Sequence, residues 1–249
     1  MIDIHAHILP HLDDGSDSTQ TSLRMAELAV ESGVTDLIAT PHSNQRGKYE
    51  NYASPELKEQ YYRLKDLLRE FGLPLHLHPG MEVYGTPEVP KLLRDGKLIT
   101  LAGSRYLLIE FGFHEEPYEM EQVLRGVHAQ GVTPIVAHPE RYYALQAVPD
   151  ILYDWVRGGT HLQINKGSLT GFFGRDAYQL AITMLEHDLV SFAASDAHGT
   201  HRRTPVLADT WRWLEKYVSA RRAQRLLEEN PKRVLADAPL LDCRPVPFR

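Results

Sequence analysis

Two histidines two residues apart, in Asp3-Ile4-His5-Ala6-His7, are the first hint of chemistry in this chain. On an extended strand alternate side chains share a face, so His5 and His7 can reach one ion while Ile4 and Ala6 pack away from it. Asp196-Ala197-His198 repeats the spacing near the other end with a carboxylate and an imidazole. Between them stand Asp14 in Leu12-Asp13-Asp14-Gly15, His42 in Thr40-Pro41-His42, Glu82 in Gly80-Met81-Glu82, Glu110 in Leu108-Ile109-Glu110 and His138 in Ala137-His138-Pro139-Glu140-Arg141. Burying that many ionisable groups without a partner is costly, and divalent cations are a partner they can share. Four carboxylates and five imidazoles suit two or three ions and are too many for one tetrahedral zinc. Mixed oxygen and nitrogen donors admit manganese, iron, magnesium, zinc and cobalt.

Three divalent ions outweigh four carboxylates by about two charges, which makes a concave site attractive to phosphate on an otherwise acidic protein. Arg141, just after His138, and Arg203, just after His198, strengthen that reading. Guanidinium forks match phosphate oxygens and stay charged. Arg202 competes with Arg203 for that role. Other candidates have bland readings: His76 and His78 as satisfied strand residues, His128, His161 and His187 as structural or surface residues, and Asp13 as a loop-fixing acid. His11, His114 and His201 fall in rim loops without a partner that singles them out. Gly167-Ser168-Leu169-Thr170-Gly171 is not a nucleophile elbow, and the chain has no phosphate-cradling Walker loop.

The only cysteine, Cys243, is followed by just six residues, which leaves no room for the phosphate loop and helix of a cysteine-dependent phosphatase. The 249 residues carry 27 Lys plus Arg against 33 Asp plus Glu, a formal charge of -6, so duplex nucleic acid is not the expected partner. No basic leader and no long apolar run occur, so no membrane insertion and a cytoplasmic location are expected.

The donors need elements to position them. Short β-branched runs at 2–5, 36–39, 75–78, 106–110, 134–137, 161–164 and 190–194 alternate with amphipathic stretches near 19–32, 56–71, 87–95, 119–130, 149–157 and 174–187. This pattern predicts an α/β fold, a barrel-like ring of seven parallel strands, with the His and acidic residues at the C-terminal strand ends where barrel sites assemble. Residues 1–249 read as one domain, with a helical tail from about 205 onward packing on the barrel.

These residues resemble the polymerase and histidinol phosphatase (PHP) superfamily, and more closely its capsular-polysaccharide-type bacterial protein tyrosine phosphatases. The match is carried by Asp3 to Pro10, Asp13-Asp14-Gly15, Ala39 to His42, Gly80 to Glu82, Leu108 to Phe111, Ala137 to Tyr142, Leu162 to Ser168 and Ser195 to His198, in the family's order. The resemblance implies a distorted seven-stranded, TIM-barrel-like (β/α) barrel with a metal cluster at its C-terminal rim. It implies one ion on His5, His7, Glu82 and Asp196, a second on Glu82, Glu110 and His138, a third on Asp14, His42 and His198, and phosphate on Arg141 and Arg203. His11 stands where the family usually has Gly, and Ser43 where a second His often occurs.

The expected activity is therefore metal-dependent hydrolysis of phosphotyrosine by direct attack of metal-bound hydroxide, with the tail of a bacterial tyrosine autokinase controlling capsule or exopolysaccharide synthesis as the implied substrate. Rival readings are a PHP phosphatase or phosphodiesterase for a small metabolite such as histidinol phosphate, an amidohydrolase, and a non-catalytic metal-binding regulator.

Overall fold

A computed structural model describes residues 1–241 and 243–248. Nine short strands are all paired in parallel: β1 (Ile2–Ala6), β2 (Asp36–Ala39), β3 (His42–Ser43), β4 (His76–Pro79), β5 (Glu82–Tyr84), β6 (Tyr106–Glu110), β7 (Thr133–Ala137), β8 (His161–Asn165) and β9 (Phe192–Ala194). The nine correspond to seven staves, because β2 runs on into β3 and β4 into β5 across two breaks. At Thr40-Pro41 the proline has no N–H to give the ladder. At Gly80 the backbone passes so close to β2 that an added Cβ would lie 2.8 Å from Ile38 Cγ2. The sheet orders are β1-β2-β4 and β3-β5-β6-β7-β8-β9. A parallel bridge between Ala6 and Ala197 brings the last stave back to the first, flanked by the Asp196 N–H to His5 carbonyl and His7 N–H to Ala197 carbonyl bonds, each 2.9 Å.

Helices between the strands cover the outside. In α1 (Thr19–Glu31) the Ser18 hydroxyl accepts the Thr21 N–H, and in α2 (Pro55–Glu70) Ser54 accepts from Leu57 with proline in the first turn. Leu57, Tyr61, Leu64 and Leu68 form the buried stripe of α2, at helical spacing. In α4 (Pro117–His128) the stripe is Met120, Val123, Leu124 and Val127. These join Leu37, Ala39, Leu107, Ile109, Val136, Leu162 and Ile164 in the layer between strands and helices.

A second apolar cluster takes Ile2, Ile4, Ile38, Tyr106, Leu108, Ile135, Ala137, Phe192 and Ala194, together with Leu101 and Val234. It is the filling of the ring, and its residues alternate along β6, β7 and β9 with those facing the helices. Glu110 continues the inward series of Tyr106 and Leu108. Gln163 and Asn165 are fully buried and alternate with the outward Leu162 and Ile164. The exception is β1. Ile4 packs inside but Ala6 packs toward the helices, so the two do not share one face as the simple alternation predicted; the register against β2 shifts between Asp3 and Ala6.

The helices in β/α positions are completed by α3 (Val89–Arg94), α5 (Tyr143–Ala147), α6 (Asp150–Arg157), α7 (Lys166–Leu169) and α8 (Arg175–Glu186). The short α5 and α7 were not foreseen, and Val190 and Ser191 precede β9 rather than belonging to it. The tail forms α9 (Ala208–Tyr217), α10 (Ala220–Gln224), a π turn at Arg225–Glu229 and α11 (Asn230–Leu235). Beyond it the Pro-rich end is not helical. It is held by the Tyr106 hydroxyl to the Ala238 carbonyl and by the Val246 N–H to the His187 carbonyl. Asp242 and Arg249, within the expected tail, lie outside the described residues. No helix among the described residues is long and apolar enough to cross a membrane.

One buried hydroxyl ties two stave ends together under the rim. Tyr142 Oη donates to the Ala137 carbonyl at 2.7 Å and accepts the Phe111 N–H at 3.0 Å. Tyr142→Phe leaves both backbone groups unpaired, and equilibrium urea unfolding is expected to show a loss of about 1–3 kcal/mol. An unchanged stability would mean that these bonds do not brace the rim.

Candidate metal centre

The inward alternation delivers polar side chains to the C-terminal ends of the staves. There His5 Nε2 and His7 Nε2 lie 3.2 Å apart, and Glu82 Oε2 is 3.2 Å from each. Asp196 Oδ1 is 3.5 Å from the first and 3.6 Å from the second. His42 Nδ1 approaches Glu82 Oε2 at 3.0 Å and Glu110 Oε1 at 2.9 Å, while His138 Nε2 is 2.9 Å from Glu82 Oε1. Asp14 Oδ1 stands at the mouth, 3.3 Å from His42 Nε2 and 3.5 Å from His198 Nε2. All nine sequence-predicted donors are therefore in one cluster.

The far sides of the rings decide what this cluster can hold. His5 Nδ1–H donates to Gln163 Oε1 at 2.8 Å, and His7 Nδ1–H donates to Asp13 Oδ2 at 2.7 Å. In the neutral rings both Nε2 atoms are then bare lone pairs aimed at each other and at two carboxylate oxygens. Glu82 Oε2 and Asp196 Oδ1 are buried without a hydrogen-bond partner among the described residues. Lone pairs converging without hydrogens between them fit cations. Four groups have mutually close donor atoms: His5, His7 and Asp196; His5, Glu82 and His138; His42, Glu82 and Glu110; and His7, His42 and His198. The grouping differs in detail from the one the family resemblance implies: His42 also sits with Glu82 and Glu110, and His7 with His42 and His198.

Without ions, protons take the cations' place. Burial opposes charge on His7, but the adjoining Asp13 carboxylate outweighs it and lifts the pKa to about 9. Burial likewise opposes charge on His5 and His42, yet Glu82 raises both, helped by Asp196 at His5 and by Asp14 and Glu110 at His42. Glu82 is held well below the usual carboxylate range despite burial, by His5 and His42. Asp196 is held low despite burial by His5 and Arg203, and Asp14 by hydrogen bonds from His198 and His42. His198 moves the other way, to about 4, through burial and repulsion from His7.

The backbone is bent to make this cluster. His138 has φ 36° and Asp196 φ 48°, a left-handed conformation unusual for non-glycine residues. Gly15 lets the Asp13–Gly15 loop fold against His7, because a Cβ there would fall 2.3 Å from His7 Cβ. The loop is pinned by Asp13, which accepts the N–H groups of Gly15 and His42 as well as bonding His7.

Both arginines reach the same atom. Arg141 Nη1 is 3.2 Å and Arg203 Nη2 2.5 Å from Asp196 Oδ2, which also accepts the Asn165 amide at 2.5 Å. The two line a cavity of ≈ 600 Å³ with His42, Glu82, Glu110 and Phe113. The other histidines lie apart: His11 lines a separate cavity beside Gln60 and Arg63, His114 packs at a tilt against Tyr143, His78 bonds Asp36, and His76 and His201 are exposed. Arg202 is exposed and lines a neighbouring cavity rather than the one at the donor cluster.

The sequence reading missed the supports. Gln163 bonds His5 and, through its amide, Asn165, which bonds Asp196; Gln45 donates to Glu110 Oε1 at 2.6 Å. The i, i+2 spacing of Gln163 and Asn165 was the available signal. Glu140, fully buried, accepts from the Asn165 N–H and the Ser168 hydroxyl and so fixes the loop after β8.

A ring of parallel staves with a carboxylate and imidazole cluster at its C-terminal rim, flanked by two arginines, defines an α/β barrel with a candidate metal centre. Within that class the chain belongs to the family described as capsular polysaccharide synthesis, CpsB/CapC, which matches residues 1–236. It is 35% identical to the tyrosine-protein phosphatase YwqE of Bacillus subtilis, over 100% of this chain and 97% of that protein. It is 31% identical to the tyrosine-protein phosphatase CpsB of Streptococcus pneumoniae, over 95% and 99%. A crystal structure from work on YwqE and CpsB, described there as unique metal-dependent tyrosine phosphatases, superposes with a TM-score of 0.92 at 35% identity and covers 100% of both chains.

Two outcomes are expected. Because the folded pKa of His7 is raised, its proton stabilises the metal-free fold fully below the ordinary value near 6.5, and that contribution is lost as pH rises through about 9. The Tm of metal-free protein should therefore fall across that interval, and saturating Mn²⁺ should flatten the decline; parallel curves with and without the ion would contradict the shared site. Gln163→Leu, which removes the acceptor for His5 Nδ1–H, should weaken Mn²⁺ by roughly 10–100-fold in a chelator competition.

Proposed function

We propose that this protein is a metal-dependent protein tyrosine phosphatase acting in the cytoplasm. The observation that carries the reading is the meeting of two arginines with a cation-seeking donor cluster at one open cavity. Relatives over nearly the whole chain are named tyrosine-protein phosphatases, and the family's description concerns capsular polysaccharide synthesis. The physiological substrate we infer is a phosphotyrosine tail of a bacterial tyrosine autokinase. A flexible tail can reach a rim cavity without a large interface.

His5, His7, Asp14, His42, Glu82, Glu110, His138, Asp196 and His198 would hold two or three divalent ions, with manganese the expected one. Such ions, when bound, supply positive charge against the phosphate and activate water. The chain's own residues do the rest. Gln163 and Asp13 fix the tautomers of His5 and His7 so that their Nε2 lone pairs face the cluster. Arg141 and Arg203 are placed to take phosphate oxygens and to keep their charge as the phosphoryl group transfers. The phenol of tyrosine, with a pKa near ~10, leaves with less protonation than an alkoxide needs. A strong general acid is therefore less necessary here than for serine phosphate.

Steady-state hydrolysis of a phosphotyrosine peptide by chelator-stripped protein reloaded with Mn²⁺ tests this. Activity should require the ion. In Arg141→Ala kcat/KM should fall by about 10²–10³-fold, with metal content retained. Inactivity of folded, metal-loaded protein on the peptide, with turnover of histidinol phosphate, would replace the reading with a small-metabolite phosphatase.

A further inference from the structure

The two arginines come from different loops and would repel one another, yet both are held at one edge of the cavity. Asp196 Oδ2 accounts for their tips. It does not account for their planes, and the Arg203 Nε–H is buried without a hydrogen-bond partner among the described residues. What lies against both groups is one ring. The Arg141 guanidinium carbon is 4.1 Å from the centroid of Phe173, and that of Arg203 is 5.8 Å from it. Arg141 carries a second ring, Phe113, at 5.1 Å. Phe113 lines the metal cavity, whereas Phe173 lines the adjoining cavity that shares Arg203.

Phe173 is seated by its own loop. Gly171 and Gly174 flank it with φ 74° and φ 96°, and the Phe172 N–H returns to the Gly167 carbonyl at 2.9 Å. Gly167 leaves the ring its place, since a Cβ there would lie 2.6 Å from Phe173 Cε2. A half-buried aromatic face beside two cations attracts both and restricts the rotamers of two long side chains.

We infer that Phe173 is a positioning residue: seated against Gly167, its ring holds the guanidinium groups of Arg141 and Arg203 ready for the phosphate. This rests on the proposed reading of those arginines as phosphate ligands. Phe173 acts through them and does not itself touch the reacting atoms.

Inorganic phosphate is the probe, titrated calorimetrically into protein loaded with Mn²⁺, whose metal content and circular dichroism are checked for each variant. Phe173→Leu should weaken phosphate roughly tenfold with metal content unchanged, and Phe173→Tyr, which keeps the ring, should stay within about twofold. In an Arg141→Ala background the same leucine change should cost no more than about twofold, because most of the ring's effect passes through Arg141. With the phosphotyrosine peptide the loss in Phe173→Leu should appear in kcat as well as in KM. A tenfold loss that persists without Arg141, an equal loss in the tyrosine and leucine variants, or no loss in the leucine variant would each overturn the inference. If Phe173→Leu fails to fold or to keep its metal, Gly167→Ala displaces the ring instead and should weaken phosphate in the same direction; unchanged binding there also overturns it. Phosphate binding that follows this pattern in a protein inert toward the peptide would remove the phosphatase reading and leave the positioning role. Failure of the metal-loaded wild type to bind phosphate would remove both.

Discussion

Glu82 is the constraint around which the rim is built. It is a fully buried carboxylate with three imidazole nitrogens within 3.2 Å of one oxygen and a fourth imidazole 2.9 Å from the other. Isolated in an apolar barrel such a charge would be strongly destabilising, so the group must have cationic partners in every functional state. In the metal-free chain protons on His5, His7 and His42 provide them. In a loaded chain ions would, and the protons must leave. Metal binding, proton release and stability are therefore aspects of one electrostatic requirement, set by how deeply the inward face of the barrel buries its last polar layer.

The barrel meets that requirement with local distortion. Parallel strands alone send alternate residues inward, which suffices for Glu110, Gln163 and Asn165. It does not suffice for the remaining donors. β1 shifts register between Asp3 and Ala6, the second stave breaks at Pro41, and the third breaks at Gly80. His138 and Asp196 occupy left-handed backbone conformations, each costing on the order of 1–3 kcal/mol. Such strain persists where the surroundings over-determine it. The Asp196 N–H to His5 carbonyl bond and the His138 N–H to Gln163 carbonyl bond do so here, tying each strained residue to a neighbouring stave.

Periodicity makes the layering legible because burial on the barrel imposes it everywhere, and the clustering of His, Asp and Glu at the ends of apolar runs makes the donor set legible with it. Three kinds of information were not carried by that pattern. The register shift in β1 depends on its neighbours, so Ile4 and Ala6 cannot be assigned their layers from β1 alone. Gln163 and Asn165 are neutral amides, whose part in orienting His5 and Asp196 appears only when the inner faces of β1, β8 and β9 are brought together. Phe173 lies in a loop with no periodicity at all. Its neighbours Arg141 and Arg203 are remote in sequence, so nothing short of the folded loop shows that one ring faces both.

Asp196 links the two halves of the site. Its Oδ1 faces His5, His7 and His198, while its Oδ2 takes the amide of Asn165 and both guanidinium groups. One carboxylate thus shares its charge between the donor cluster and the arginines. On the proposed reading of the arginines as phosphate ligands, a phosphate arriving at the cavity would draw the guanidinium charge toward its own oxygens, and the charge of Asp196 would then be shared less with the arginines and more with the cations of the cluster. Linkage would make the effect reciprocal on that reading: cations that draw on Asp196 would release the arginines toward phosphate.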